Sequence, residues 1–409
     1  MPFTPAQFVI IGNPGNRRVD LFQQALTALC HPPALLVPYQ ELLAGQTHLS
    51  EVIQPGWIVR IESPERDFEL EKALLASAAE IEDEEDPGGR LYARYSRKAA
   101  NSLAFDKGEI LYPRQWFLGY RALLGKINQQ LAGSPRHYQM NQPEDIVTMF
   151  DKPRCHALFQ ASPKIAVPGS LGEIHSYEAL LARMAELGCY RVFVKLAHGS
   201  SASGVVAYQT NGHYHQATTT VEMVPGRNKE LKLYNSRRLR TYRDQREIAA
   251  LINALCRHRV QVERWVPKAG LQNRTFDLRV VVIGGEVRHV VVRLSRTSLT
   301  NLHLSSDRAG LEALLPRLKP GVWADARQSC VEVMGMFPTS FYAGIDLMIT
   351  SDYRQHAVAE INAFGDLLYG TLHRGQDTYT AEISTFVNRT GEKQAGGHPV
   401  ETEKGEVRV

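Results

Sequence analysis

Short apolar runs alternate with helically spaced segments through the first third of the chain. FVIIGNPG (8–15) reads as a buried strand closed by a Gly/Pro turn, and VDLFQQALTALC (19–30) follows with apolar residues at helical intervals. ALLVPY (34–39) and WIVRIES (57–63) repeat the strand pattern, and FELEKALLASAAE (68–80) is the next helix. Strands alternating with helices imply a doubly wound parallel sheet, so residues 1–140 are expected to form an N-terminal α/β domain. The GNPG turn lacks the glycine fingerprint of a phosphate-binding loop and is read as a plain turn.

The pattern then changes. EIEDEEDPGG (80–89) is expected to be a surface loop, because like charges repel and resist packing. The stretch from Arg90 to Arg136 reads helical, and residues 140–160 read as an amphipathic helix pair ending before IAVP (165–168). SYEALLARMAELG (176–188) is a helix closed by Gly188. YRVFVKL (190–196) and VVAYQ (205–209) are strands on either side of a Gly/Ser-rich loop. A helix at 244–258 leads into the strands VQVERWV (260–266), DLRVVVIGGEV (277–287) and RHVVVRLS (288–295), with Gly284 and Gly285 as a hairpin turn. Helices are expected near 307–318 and 322–335, and a polar, mobile tail from Thr390. No internal repeat is visible.

Length and composition narrow the class without naming a function. The 409 residues suggest two or three domains, and 44% apolar with 22% charged residues is ordinary for a soluble globular protein. A net charge of +4 is too small to argue for nucleic acid. The basic clusters NSRRLRTYRDQR (235–246) and RHRVQVER (257–264) read first as solvated helix faces, with anionic substrates or nucleotide phosphates as the other partners. Five widely spaced cysteines without a CxxC pair make neither a disulfide framework nor a zinc site, and fit a reducing cytosol. The N-terminus has no signal-peptide pattern and no run is long enough to span a bilayer, so a cytoplasmic protein without a membrane partner is expected.

Two stretches carry candidate chemistry. In GIDLMITSDYRQHAVAEINAFGDLL (344–368), Asp346 ends one apolar run, and Val358, Glu360 and Asn362 alternate with Ala359 and Ile361 at the period of a strand. Two carboxylates and an amide oxygen on adjacent strands suit a hard divalent cation such as Mg²⁺; an ordinary polar strand face is the competing reading. Lys195 ends a strand before AHGSSASG (197–204), a loop whose N–H groups could approach phosphate; a plain hairpin loop with an exposed lysine competes.

With DKPRCHALFQASPKIAVP (151–168), VFVKLAHGSSASGVV (192–206), VERWV (262–266), DLRVVVIGGEV, TNLHLSS (300–306) and the 344–368 stretch in this order, the chain from about residue 145 to about 388 resembles the ATP-grasp superfamily. The likeness is greatest to its glutathione synthetase-like and ribosomal-protein-S6-modifying branch. It implies an α/β protein of α+β ATP-grasp type: a pre-ATP-grasp domain (1–140), a lid subdomain (141–262), a C-terminal subdomain with the metal site (263–390) and a polar tail (391–409). The two subdomains would clasp ATP. By resemblance, Lys152 and Lys195 reach the phosphates, and His198, Gly199, Ser200, Ser201 and Gly204 belong to the loop that closes over them. Backbone groups of Arg264 and Val266 would bond the adenine edge, with Glu263 toward adenine or ribose, and Trp265 either beside the base or in the core. Arg279, Arg293 and Asn301 would contact the γ-phosphate or an acyl intermediate, and Asp346, Glu360 and Asn362 would hold two Mg²⁺ ions, with Mn²⁺ as an alternative.

The implied activity is ATP-dependent ligation of a carboxylate to an amine through an acylphosphate, releasing ADP and phosphate. A carboxylate must be activated in this way because oxide is a poor leaving group. The substrate implied is a small molecule, amino acid or peptide. A kinase and a catalytically silent nucleotide-binding protein remain as alternatives, and homo-oligomerisation is open by resemblance alone. His198 and His303 are considered as bases, with structural or substrate-binding roles favoured. The family's Pro-Gly turn after the metal-binding asparagine is replaced by NAFGDLLYG (362–370), in which Gly365 can keep the turn and Asp366 adds a charge with no assigned role.

Overall fold

The computed structural model describes residues 5–200, 203–226, 231–300, 307–365 and 368–395. Three sheets organise it. The first holds strands β1 (Phe8–Gly12), β2 (Leu35–Pro38), β3 (Ile58–Ile61) and β4 (Tyr138–Gln139) in the order β2-β1-β3-β4, all parallel. The doubly wound sheet expected from the alternation is therefore present. Its strands are short and buried, and helix Pro113–Ala132 packs on it through Tyr120, Leu123, Leu124 and Ile127.

The second sheet is antiparallel: β5 (Arg191–Leu196), β6 (Val206–Thr210), β7 (His215–Pro225), β8 (Leu231–Tyr242) and β9 (Val260–Arg264), ordered β8-β7-β6-β5-β9. It has its own core with helices Tyr177–Glu186 and Gln245–Cys256, including Leu180, Ile252 and Val262. The third sheet contains β10 (Gly270–Leu271), β11 (Arg274–Ile283), β12 (Glu286–Ser295), β13 (Asp307–Ala309), β14 (Tyr342–Ile349) and β15 (His356–Asn362). Its core is continuous with the parallel sheet through helices Pro143–Met149 and Lys152–Gln160.

Several expectations are corrected. The segment 235–246 is not a helix face: β8 runs to Tyr242, and Asp244 caps the helix that follows. Its partner β7 is built from β-branched HQATTTVEMVP, in which buried Thr219 and Thr220 disguise the strand as polar. The helix expected near 307–318 is instead β13 and two single 3-10 turns, Leu311–Ala313 and Leu315–Arg317; Pro316 lacks the N–H that a continuing helix would need. Between Arg90 and Arg136 only Arg97–Asn101 and Pro113–Ala132 are helical. The tail starts later than expected, because helix Thr378–Ala395 runs past Thr390.

The acidic run 80–89 is not simply a solvated loop. Asp83 and Asp86 are each 2% exposed. Asp83 receives Arg114 (Nε–Oδ2 2.8 Å) and Arg94 (3.3 Å), while Asp86 accepts the backbone N–H groups of Arg90, Leu91 and Tyr92. Charges are buried here because each has partners, the condition that makes burial tolerable.

Candidate nucleotide and metal site

A cleft of about 860 Å³ opens between the second and third sheets and the loops at the C-terminal ends of β1 and β3. Lys152 and Lys195 both line it. Asp151 caps helix Lys152–Gln160 by accepting Arg154 N–H (3.0 Å), which places Lys152 at the helix start. Its Nζ donates to Gly199 O (2.6 Å) and lies 3.7 Å from Glu360 Oε2. Lys195, near the end of β5, pairs with Glu263 of β9 (Nζ–Oε2 2.6 Å). Burial alone would lower the Lys195 ammonium, yet Glu263 and Glu360 hold it above the ordinary lysine range.

The loop after β5 is tied down at its root. Gly204 has φ +69, and a Cβ there would lie 2.2 Å from Leu196 Cδ1, so only glycine fits. His198 stacks on Phe117 with centroids 3.9 Å apart, and its Nδ1 faces Phe150 O at 3.2 Å. Arg114 Nη1 lies 3.0 Å from Nε2, which makes Nε2 an acceptor and fixes the neutral Nδ1–H tautomer. The same Arg114 is held by Asp83 and by Glu85 (2.8 Å), and Arg259 bridges Glu85 (2.9 Å) to Asp151 (2.8 Å). The acidic run thus buttresses both the loop and the Lys152 helix, through pairings between residues far apart in sequence.

His198 is occupied on both nitrogens, which leaves it poorly placed as a base. Burial, with Arg114 and Arg259 nearby, pushes it down to about 3 despite Asp151. Between the usual value near 6.5 and about 3, the unfolded chain takes up a proton that the folded chain refuses. Stability is therefore expected to fall as pH drops through this window, by roughly 5 kcal/mol at most. Denaturant unfolding at stepped pH should show this slope flattened in His198→Gln; an unchanged slope would refute the assignment.

On the third sheet, the ladder sets Asp346 opposite both Arg279 and Glu360, and Asn362 opposite Gly344, with a bulge after Asp346. Arg279 Nε is 2.6 Å from Asp346 Oδ1 but without hydrogen-bond alignment, so that buried oxygen has no aligned donor. Arg293 joins Asp346 Oδ2 (3.0 Å) to Asp277 Oδ1 (2.7 Å). Burial would raise Glu360, but Lys152, Lys195 and Arg279 bring it down to about 2; burial raises Asp346 to about 6 against the pull of the two arginines. Asn362 directs its NH₂ toward Gly344 O (3.4 Å) and Glu360 Oε1 (3.5 Å), which leaves its oxygen as an acceptor. An ionised carboxylate, a second carboxylate with an unaligned oxygen and an amide oxygen on two adjacent strands are a donor set that fits Mg²⁺. No group of three or more His, Cys, Asp or Glu arranged for metal binding occurs among the described residues, and none is needed by a set completed by an asparagine.

Of the other expected site residues, Gly199, Ser200, Glu263, Arg264 and Val266 line the cleft. Trp265 does not; it packs on Phe193 with centroids 5.0 Å apart. The backbone N–H of Arg264 donates to Gly169 O (2.8 Å), so this residue can offer a base only its carbonyl. Ser201, Asn301, His303 and Asp366 lie outside the described residues. Gly365 has φ +61, consistent with a retained turn.

Sequence reading missed Lys268 and gave Asp277 no role. Both line the cleft, and Lys268 Nζ contacts Thr300 Oγ1 (2.6 Å) and Asp277 Oδ2 (3.4 Å). Asp277 had a signal: it stands two positions before Arg279 in an apolar strand, on the same face. Arg17, Arg18, Arg66 and Arg308, which also reach the cleft, carried no motif.

No family model matches the chain, and no curated protein matches it in sequence. Solved structures do match in fold. The ATP-grasp ligase PsnB complexed with minimal precursor is 16% identical, with TM-score 0.52, over 94% of this chain and 99% of that one. The macrocyclase MdnC bound with precursor peptide MdnA from Microcystis aeruginosa MRC is 13% identical, with TM-score 0.51, over 93% and 99%. The D-cycloserine synthetase DcsG is 10% identical, with TM-score 0.53, over 94% and 99%. Nearly the full length of each chain is covered, and the architecture expected from the ordered motifs is the one these structures share. The chain adopts the ATP-grasp fold.

Proposed function

We propose that the chain is an ATP- and Mg²⁺-dependent ligase that activates a carboxylate and passes it to an amine, releasing ADP and phosphate. The observation that supports this most is the meeting of Lys152, Lys195, Arg279 and Arg293 with Asp346, Glu360 and Asn362 in a single cleft. Phosphoryl transfer asks a protein mainly for positioning and charge neutralisation, and this set offers both. Lys152 and Lys195 would neutralise the phosphates. The edge of β9 at Arg264–Val266 would receive the base.

Asp346, Glu360 and Asn362 would hold Mg²⁺, which when bound neutralises phosphate oxygens and aligns them for in-line transfer. A carboxylate oxygen of the substrate then bonds to the γ-phosphorus while the bond to ADP breaks, ADP keeping the electron pair. Arg279 and Arg293 would stabilise the charge on the acylphosphate and on the oxyanion formed when an amine attacks it. Closure of the second sheet over the cleft would exclude water from that intermediate. The likeness to ligases that work on peptides and on small molecules agrees with either kind of substrate.

Hydroxylamine tests the reading, because its nitrogen attacks an acylphosphate, displaces phosphate and leaves a hydroxamate. Incubation with ATP, Mg²⁺ and a carboxylate panel is expected to give a hydroxamate together with ADP. Steady ADP release without hydroxamate would favour a kinase instead. ATP binding without any ADP release would favour a silent nucleotide-binding protein.

A further inference from the structure

We propose that the acidic segment 83–85 works as part of the nucleotide site: through Arg114 and Arg259 it positions Lys152 and the loop after β5 for the phosphates of ATP. This deepens the ligase reading and rests on its nucleotide site. None of Asp83, Glu85, Arg114 and Arg259 lines the cleft, so all four are positioning residues.

Two sequence features without an assigned role meet here, the acidic run 80–89 and the basic cluster 257–264. Glu85 pairs with Arg259 (2.9 Å), and Ala93 N–H donates to Arg257 O (2.8 Å). Arg259 follows helix Gln245–Cys256 with φ +62, a left-handed conformation for which glycine is the ordinary choice. An arginine there carries backbone strain, but its side chain supplies what glycine could not. One guanidinium joins Glu85 to Asp151 (2.8 Å).

The segment holds its carboxylates still. Asp86 N–H donates to Asp83 O (2.9 Å), Glu85 N–H donates to Asp83 Oδ1 (3.2 Å), and Asp86 itself accepts the three N–H groups of Arg90, Leu91 and Tyr92. Asp83 also takes Nε and Nη2 of Arg114, so that guanidinium cannot rotate. Its Nη1 is left as a fixed donor to His198 Nε2 (3.0 Å). Buried ion pairs add little net stability, because desolvation offsets the attraction. What this one sets is a direction.

Two paths lead from the segment to the cleft. Along the first, Asp83 orients Arg114 and Arg114 holds His198, the neighbour of Gly199, whose carbonyl accepts Lys152 Nζ (2.6 Å). Along the second, Glu85 holds Arg259 and Arg259 holds Asp151, the cap of the helix that begins at Lys152. The paths close on each other: Lys152 N–H donates to Ala197 O (3.2 Å), and Ala197 N–H to Arg259 O (3.0 Å). Glu85 links them by pairing with both Arg114 (2.8 Å) and Arg259. Groups that grip a ligand depend on such supports, and a misplacement of about 1 Å is costly.

The test is calorimetric titration with ATP and Mg²⁺ of the wild type, Arg114→Gln and Glu85→Gln, each well below its Tm. The Glu85 side chain is 40% exposed, so Glu85→Gln is expected to fold and decides the matter even if Arg114→Gln does not. Kd for ATP should rise about tenfold in Arg114→Gln and about threefold in Glu85→Gln, while KM for the carboxylate, read as hydroxamate, stays within about twofold. Arg114→Lys keeps the charge but cannot span Asp83 and His198, so its Kd should match that of the Gln variant. A merely structural role would lower Tm and leave Kd for ATP unchanged. An unchanged Kd in Glu85→Gln, full recovery in Arg114→Lys, or an equal rise in carboxylate KM would overturn this proposal. Absence of hydroxamate from every carboxylate in the wild type would overturn the ligase reading, while the ATP titration would still decide this proposal. Failure of the wild type to bind ATP would overturn both.

Discussion

Glu360→Gln is expected to lower ATP turnover by about three orders of magnitude while leaving the fold intact. The substitution keeps the size of the side chain and removes its charge. In the wild-type protein that charge is strongly held, because Lys152, Lys195 and Arg279 bring the carboxyl down to about 2. A neutral amide oxygen is a weak ligand for a hard divalent cation, and Asp346 is already shared between Arg279 and Arg293. The variant should still bind nucleotide, since Lys152 and Lys195 remain, but binding should lose its dependence on Mg²⁺. ADP release and nucleotide binding, each measured with and without Mg²⁺, check both parts. Turnover at the wild-type rate would remove Glu360 from the metal site.

The second large effect is on stability, far from the cleft. Arg60→Ala is expected to destabilise the protein by about 3–5 kcal/mol. Arg60 is fully buried and lies between Glu62 (3.0 Å) and Glu382 (2.7 Å), with its guanidinium over the rings of Phe22, Tyr342 and Tyr379. It joins β3 to β14 and to helix Thr378–Ala395, so its loss leaves two carboxylates buried without their cation. Burial already raises Glu382 to about 7 with Arg60 present. A carboxyl raised in the folded state favours folding below its unfolded value, near 4.5, and that contribution is lost as pH rises toward 7. Without Arg60 the decline should extend to higher pH, so the cost of the substitution should be larger at pH 8 than at pH 5. Denaturant unfolding at the two pH values measures this, and an equal cost at both would contradict the account.

The legible parts of the chain were those written in local periodicity. The short buried strands β1 to β3 and their helix spacing announced the parallel sheet, and the alternation around Glu360 placed two candidate oxygen ligands on one face. The apolar strand and Gly/Ser loop marked Lys195 from the residues themselves, whereas Lys152 was marked by the family resemblance alone. What stayed hidden depended on residues distant in sequence. β7 buries Thr219 and Thr220, whose hydroxyls find Val205 O and the Asn235 side chain, so its hydropathy did not alternate. Asp83 and Asp86 looked solvated because Arg94, Arg114 and the 90–92 backbone that receive them become neighbours only on folding. The arginines that reach the cleft likewise come from the helix start after β1 (Arg17, Arg18), the loop after β3 (Arg66) and β13 (Arg308), and no spacing rule connects them.

The central claim is that this cleft moves the γ-phosphoryl group of ATP onto a carboxylate. Supplying a carboxylate substrate labelled with ¹⁸O in its carboxylate, with ATP, Mg²⁺ and an amine, tests it directly through the inorganic phosphate released. Activation through an acylphosphate predicts transfer of a carboxylate ¹⁸O into that phosphate as product forms. Product formation with unlabelled phosphate would contradict it.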